Sequence, residues 1–497
     1  METLVHWGPL LAVLISLGAA GLIVLSGRNP NLREAWTLLA AGGKLAILLA
    51  MLPTVLKEGA TPLLSTLELA PGLSLALHAD ALGMLFGLSA SFLWVLTSFY
   101  SIGYMRGLGE HKQTRYFASF AVCLSATMGI AFAGNLLTLL VFYEVLTIAT
   151  YPLVIHKETP EAMAAGRKYL VYLLTAGVVL LLGVAWTVAL AGTGTFTPGG
   201  FLEGKASPTV LLVLFLLFFL GFGVKAAVMP LHSWLPAAMV APTPVSALLH
   251  AVAVVKAGVF GIARTVGFVF GPPVVEAVGA VPVASALAGA TLVTASVLAL
   301  RQDSIKLRLA YSTVGHLSYA VLGLVLLVPS GWTGGLFHMV SHAAMKITLF
   351  FVAGAIYVKT HVERVSDLDG LGRQMPWTLG AFAVASVGLA GLPPVAGFVS
   401  KWFLALGTLD SGYAVYLALL MVSGLLNAAY LFPIPVRGFL RPAGHSARRD
   451  EANPLLLVPV LLACALSVIL GLAPNIPFPL FTLVERATTA VLNGGGP

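Results

Sequence analysis

Charge is scarce in this chain. Only 9% of its 497 residues are Asp, Glu, Lys or Arg, against about 25% in soluble domains. With 59% hydrophobic residues and a mean hydropathy of +0.97, that scarcity excludes a sizeable soluble domain. Cysteine is nearly absent too. Cys123 and Cys464 both fall in apolar runs, which excludes a disulfide framework and a thiolate metal site and leaves them as packing residues. There is no glycine-rich phosphate loop, no CxxC, no HExxH and no serine-triad arrangement, so no metal site and no cofactor is expected. The net charge of +8 does not point to nucleic acid, because the basic residues sit in short loops.

What the chain has instead is a series of apolar runs of about 20 residues, each long enough to cross hydrocarbon. Alternating short segments of the kind that build a membrane β-barrel are missing. The expected fold is an all-α polytopic membrane protein of about fourteen spans. They cover residues 4–26, 34–56, 80–104, 115–133, 135–155, 164–192, 208–229, 244–266, 273–300, 306–328, 332–357, 376–408, 412–436 and 454–473, with the seventh running on toward residue 240. The N-terminus lacks a basic region before its apolar run and reads as a retained helix. The tail, 474–497, reads as surface-lying or loose.

Loops that follow odd-numbered spans carry about eighteen Lys and Arg, whereas the opposite side has only Lys57, Lys205, Arg264 and Arg486. Cytoplasmic loops are the ones enriched in basic residues. The expectation is therefore a multi-pass protein of the inner (plasma) membrane with both termini outside the cytoplasm. The 230–243 connection breaks the pattern, since it should be cytoplasmic yet has no basic residue. That composition fits a piece embedded in the membrane.

Five lysines, Lys44, Lys225, Lys256, Lys346 and Lys401, fall inside spans, together with Glu144. An ionisable group at mid-bilayer costs roughly 2.5–3.5 kcal/mol or more, so the set calls for a function. Lys44 is the weakest member, because it can snorkel or face a partner protein. Glu144 would protonate if alone in lipid, and Lys225 two helices on is its natural partner. Lys225 and Lys256 flank a proline-broken stretch containing Pro230 and Pro236. A second break, at Pro393 and Pro394 in GLPPVAG, precedes Lys401. Two interrupted helices, five helices apart and each with a nearby lysine, are the pointer to an inverted-repeat transporter with a midplane ion site.

Histidines complete the pattern. His338, His342 and Lys346 are spaced by four, which places them on one face of a helix. His316 lies on the preceding span. His250 precedes Lys256 by six residues, a spacing that puts the two on different faces of a regular helix. It either lines a half-channel or satisfies carbonyls freed by the prolines. Histidine titrates near physiological pH, as a proton relay requires.

The blocks KAAVMPLHSWLPAAMVAPTPVSALLHAVAVVKAG, DSIKLRLAYSTVGHLSY, SHAAMKITLFFVAGAI and GLAGLPPVAGFVSKW resemble the antiporter-like subunits shared by respiratory complex I, Mrp-type Na⁺/H⁺ antiporters and membrane-bound hydrogenases. The likeness spans roughly residues 80–435. It implies fourteen helices with two inverted five-helix repeats, here 115–266 and 273–436, preceded by helices 1–3 in 1–114 and followed by a final helix and tail in 437–497. It also implies that Glu144 and Lys225 are the family's glutamate–lysine pair, Lys256 its eighth-helix lysine and Lys401 its twelfth-helix residue. His316, His342 and Lys346 would lie on the connecting axis.

The segment VERVSDLDGLGRQMP makes the chain most similar to the Mrp D subunit. The long lateral helix of the largest complex I member is not among these residues. Another complex I member has glutamate where Lys401 stands. The implied function is proton translocation along a buried Glu/Lys/His axis, with other membrane subunits as partners and no redox centre in the chain. Two other readings stand beside it. One is a proton-pumping subunit of a complex I-like NADH:quinone oxidoreductase or a membrane-bound hydrogenase. The other is a non-conducting scaffold, against which the buried ionisable groups weigh.

Overall fold

A computed structural model describes residues 2–57, 64–70, 73–442 and 448–494. The helices, in chain order, are α1 (Glu2–Leu25), α2 (Pro30–Val55), α3 (Ala81–Gly107), α4 (Gln113–Ala131), α5 (Leu136–Val154), α6 (Pro160–Ala191) and α7 (Pro208–Lys225). There follow α8 (Thr243–Phe270), α9 (Ala280–Leu300), α10 (Ile305–Val325), α11 (Pro329–Thr360), α12 (Pro376–Ala390) and α13 (Ala396–Asp410). The last are α14 (Val415–Leu440), α15 (Pro454–Leu472) and α16 (Leu480–Leu492). Each of the expected spans coincides with a helix or a broken helix. Eleven of the described helices are long and apolar enough to cross a membrane.

Polar caps set where the helices begin. Asn29, Asp80, Asn135, Thr159 and Ser304 each accept a backbone N–H from the first turn of the helix that follows, satisfying donors that have no partner inside the helix. Proline opens α2, α6, α7, α11, α12 and α15, at the position where its missing N–H costs nothing.

Burial divides the helices into two kinds. The apolar windows of most spans are about half buried, so they show one face to lipid. Those of α8 and α11 are 100% buried. α11 is packed by α3, α10, α12, α13, α15 and α16, and α8 by α4, α5, α7, α10 and α11. These two fully enclosed helices carry His250, Lys256, His338, His342 and Lys346.

Both broken helices are where the prolines place them. α7 ends at Lys225, and the chain then turns through residues 226–233, which include Pro230. Pro236 lies just beyond, inside the short helical turn Trp234–Ala237. Val224 O, released at the end of α7, accepts the Trp234 indole N–H at 2.8 Å. The second break, between α12 and α13, contains Pro393 and Pro394. It is closed by Gly391 at φ +95°, a conformation that favours glycine.

Four features differ from the sequence reading. The tail is not loose between 480 and 492. There it forms α16, whose Leu480, Leu483, Val484, Ala487 and Val491 are buried at the spacing of an amphipathic helix packed against α3 and α11. A small antiparallel hairpin, Leu64–Ala70 with Leu73–Leu77, interrupts the otherwise helical chain. It docks over the start of α5, where Asn135 Nδ2 donates to Ser74 O at 2.7 Å and Ala76 N to Thr138 Oγ1 at 2.8 Å. Arg264, counted above with the loop residues, is buried in α8 and ion-paired with Asp80. Lys44 neither snorkels nor faces outward. It is fully buried, donates to Leu124 O at 3.2 Å and lies 4.2 Å from the Trp94 ring.

Candidate functional site

The site is best followed from α8. Leu248–Val252 is a π-helical turn, and regular helix resumes at Val254. The wide turn changes the phase between His250 and Lys256. It leaves His250 buried against the Phe350 ring, centroids 4.8 Å apart, with neither ring nitrogen hydrogen-bonded. Lys256 crosses to α11, its Nζ 2.7 Å from His342 Nδ1. His338, His342 and Lys346 share one face of α11, and all three approach α10.

Two branches leave α11, the first beginning with a ring stack and the second hydrogen-bonded throughout. In the first, His342 stacks on His316 at 5.3 Å between centroids. His316 Nδ1 lies 3.2 Å from His338 Nε2, and His338 Nδ1 lies 2.8 Å from Ser400 Oγ on α13. In the second, Lys346 Nζ donates to Ser312 Oγ at 2.6 Å. The Tyr430 hydroxyl lies 2.8 Å from Ser312 Oγ and 2.6 Å from Asn427 Oδ1. Asn427 Nδ2 donates to Leu389 O at 3.3 Å, and the same carbonyl accepts from Lys401 Nζ at 2.6 Å. Lys401 also donates to Ala390 O at 3.2 Å. These carbonyls are free because α12 stops at Ala390, so the break itself builds the cradle for the ammonium at the negative end of a helix.

Lys225 lies apart from this network. It is fully buried, donates to Tyr143 O on α5 at 2.6 Å and sits 3.3 Å from the centre of the Tyr143 ring. Glu144 follows Tyr143 in the chain but turns toward Gly177 on α6. Its Oε1 has no hydrogen-bond partner. The expected contact pair is therefore not formed side chain to side chain. Lys225 is held by the backbone beside Glu144, at a distance where only through-space attraction links the two charges.

The structure thus gathers Lys256, His316, His338 and His342 in one group and links Lys346 to Lys401 in a second, and it leaves His250, Lys225 and Glu144 beside them. It adds Ser312, Ser400, Asn427 and Tyr430, which sequence reasoning passed over. Buried Ser and Thr in apolar helices usually bond the carbonyl four residues back, as Thr313 and Ser318 do here. Nothing in the residue types sets Ser312 apart. The one usable signal was the Asn427–Tyr430 spacing, which places two polar groups on one face of an apolar helix.

A helical membrane protein with lysines and imidazoles hydrogen-bonded through its enclosed interior belongs to the class of ion-translocating membrane proteins. Residues 133–427 match the family described as NADH:quinone oxidoreductase/Mrp antiporter, TM, and the chain belongs to that family. It is 35% identical over 406 residues to the N subunit of the NADH-quinone oxidoreductase of Desulforudis audaxviator, covering 76% of this chain and 80% of that protein. It is 27% identical over 491 residues to the D subunit of the Na⁺/H⁺ antiporter of Alkalihalophilus pseudofirmus, covering 97% of both. Among solved structures, the Mrp complex from Dietzia sp. contains a chain of the same fold. The TM-score is 0.86 at 23% identity, covering 99% of this chain and 98% of that one.

Proposed function

We propose that this chain is the proton-carrying, antiporter-like subunit of a multisubunit monovalent cation (Na⁺)/H⁺ antiporter. The observation that carries the reading is a pair of buried runs that meet on α11, one joining Lys256 to His342 and the other leading from Lys346 through Ser312, Tyr430 and Asn427 to the Lys401 cradle. Together they cross α8, α11, α10, α14 and the α12–α13 break. Their Lys, His, Ser and Tyr groups can hold or pass a proton, while the Asn427 amide and Leu389 O fix the geometry. Kinship with the D subunit of an Na⁺/H⁺ antiporter over almost the whole chain supports the antiporter assignment.

In this reading Lys225, under the influence of Glu144, loads the chain from the α7 break. Lys256, His316, His338, His342 and Lys346 relay, and Lys401 releases. His250 lines the approach to Lys256. A cavity lined by Tyr104, Lys157, Thr243, Lys306, Tyr357 and Glu363 lies at the start of α8 and offers water a mouth on the basic-loop side. Residues 115–266 and 273–436 act as two inverted repeats, each contributing one broken helix. The termini lie outside the cytoplasm, and the membrane is the plasma membrane.

A second reading is favoured by the 35% identity to the N subunit of an NADH-quinone oxidoreductase. In it the same axis serves a redox-driven pump. Reconstituting the assembled complex in vesicles separates the two. An antiporter exchanges Na⁺ for H⁺ under an imposed gradient with no electron donor, and a pump moves protons only when a donor is oxidised. Lys225→Ala should abolish transport in an assembled complex under either reading, and normal transport in that variant would refute the relay.

A further inference from the structure

One cluster of titratable side chains lies away from the axis, where the turn after α3 meets the turn after α5. The end of α3 fixes the first turn. Gly109 adopts φ +60°, and Glu110 N donates to Met105 O at 3.0 Å, a glycine-closed helix terminus. Glu110 is held further by Gln113 Nε2, which donates to its carbonyl at 3.0 Å. The second turn presents His156, just past α5. Its carbonyl accepts from Arg115 Nη2 at 3.2 Å, and its ring packs edge-on to Tyr116 at 5.7 Å.

His156 is fully buried, yet neither of its ring nitrogens has a hydrogen-bond partner. Its Nε2 points at Glu110 Oε2 across 3.6 Å. His111 Nδ1 lies 3.9 Å from the same oxygen, and the two imidazole rings are neighbours, their centroids 4.9 Å apart. One ligand atom from each of the three residues falls within 4.8 Å of the other two. These separations exceed hydrogen-bonding distance. They approach the roughly 3.4 Å that separates neighbouring ligands around a tetrahedral ion with bonds of about 2.0–2.2 Å.

We propose that Glu110, His111 and His156 form a binding site for a divalent metal ion of the Zn²⁺ class, with solvent at the fourth position. Two imidazoles and one carboxylate suit Zn²⁺, Co²⁺ or Ni²⁺, whereas Mg²⁺ and Ca²⁺ take oxygen ligands. The nearby positive charges do not prevent this. Lys112 and Arg115 are both engaged by Glu158, and Lys157 is exposed. No spacing motif announces the site, because its ligands come from two loops that only the fold brings together. A bound ion ties the α3–α4 turn to the α5–α6 turn, on the face that carries most of the loop lysines and arginines.

The test uses the complex containing the full chain, stripped with a chelator and then titrated with Zn²⁺. Metal content is measured after gel filtration, and the visible spectrum is recorded with Co²⁺ as a stand-in. The expected result is one Zn²⁺ per copy of this chain, a tetrahedral Co²⁺ spectrum and a higher Tm with Zn²⁺. His111→Ala alters a half-exposed side chain and should fold normally. It should weaken retention by roughly tenfold or more, at least as much as losing an outer-shell partner does, and it should abolish the Tm shift. Glu110→Gln should do the same. Zn²⁺ retained equally by wild type and His111→Ala overturns the proposal. So does failure of the wild type to retain Zn²⁺, which would reduce the cluster to a Glu110–His156 ion pair. Mg²⁺ held as tightly as Zn²⁺ overturns the assignment of nitrogen ligands.

Discussion

Lys256 Nζ on α8 lies 2.7 Å from His342 Nδ1 on α11, so the two fully enclosed helices of the molecule are joined by one proton-bearing contact. A lysine and a histidine at this distance cannot both carry a proton into the bond. One must donate and the other accept. Substitution at either end therefore breaks the chain at a defined point. Lys256→Ala and His342→Ala should each lower proton-coupled transport by about 100-fold or more, the scale on which a positioned proton donor or acceptor contributes. The measurement is vesicle transport normalised to assembled complex, and an unchanged rate in either variant would place the path elsewhere.

Tyr430 links Ser312 to Asn427 through its hydroxyl alone. Tyr430→Phe keeps the ring and removes the link. Each lost hydrogen bond should cost about 0.5–1.5 kcal/mol of stability, too little to unfold the protein, while transport per assembled complex falls sharply. If Tyr430 serves packing only, transport per complex stays at the wild-type level and only the yield changes.

Gly391 combines φ +95° with close approach to the Lys401 side chain. Gly391→Ala should cost ~1 kcal/mol or more through backbone strain. It should also push the Lys401 ammonium off Leu389 O and Ala390 O. Transport should fall further than in Gly412→Ala, a position that shares the positive φ but has open space around it. Equal transport in the two variants would show that the cradle is dispensable.

The Arg264–Asp80 pair joins α8 to the start of α3 with contacts of 2.5 and 2.8 Å. The guanidinium is also flanked by Phe196, Phe260 and Phe268. Arg264→Ala leaves a largely buried carboxylate unpaired and should destabilise by about 3–5 kcal/mol. Reduced Tm and assembly in detergent, with ordinary transport in the fraction that assembles, would mark the pair as structural. Assembly at wild-type levels would count against it.

Glu158 accepts from both Lys112 and Arg115, and these bonds hold its carboxyl down at about 2 rather than 4.5. Because the folded value is the lower one, the stabilisation is fully present above about 4.5 and is lost as the pH falls toward 2. The Tm difference between wild type and Glu158→Gln should accordingly be small but measurable near neutral pH, shrink in added salt and vanish in acid. A difference that grew as the pH fell would contradict this assignment.

Some of the site could be read from residue types alone. Lysines in apolar runs are costly enough to announce themselves, and the four-residue spacing of His338, His342 and Lys346 survives folding because a regular helix preserves it. The prolines placed both breaks for the same reason, since their effect on the backbone is local. α16 was also legible in the spacing of Leu480, Leu483, Val484, Ala487 and Val491, though the glycines that follow drew the reading toward a loose end.

Pairings across helices were not legible. The sequence suggested Glu144 as the contact for Lys225, whereas the rotation of α5 delivers Tyr143 O to the lysine and turns Glu144 toward α6. The six-residue spacing separates His250 from Lys256 only on a regular helix, and the π turn at Leu248–Val252 lets both reach α11. Ser312, Asn427 and Tyr430 are ordinary polar residues until packing aims them at one another. Glu110, His111 and His156 form a cluster only because two turns meet.

By itself the sequence determined that this chain crosses a membrane repeatedly, where two of its helices break and that five lysines and a glutamate fall inside its apolar runs. Those properties follow from hydrophobic length, proline geometry and the cost of burying charge, all of which act locally along the chain. Only the tertiary structure decided which groups touch. Contact depends on how each helix is rotated about its axis and where its neighbours stop, and those choices are made by packing among residues far apart in sequence.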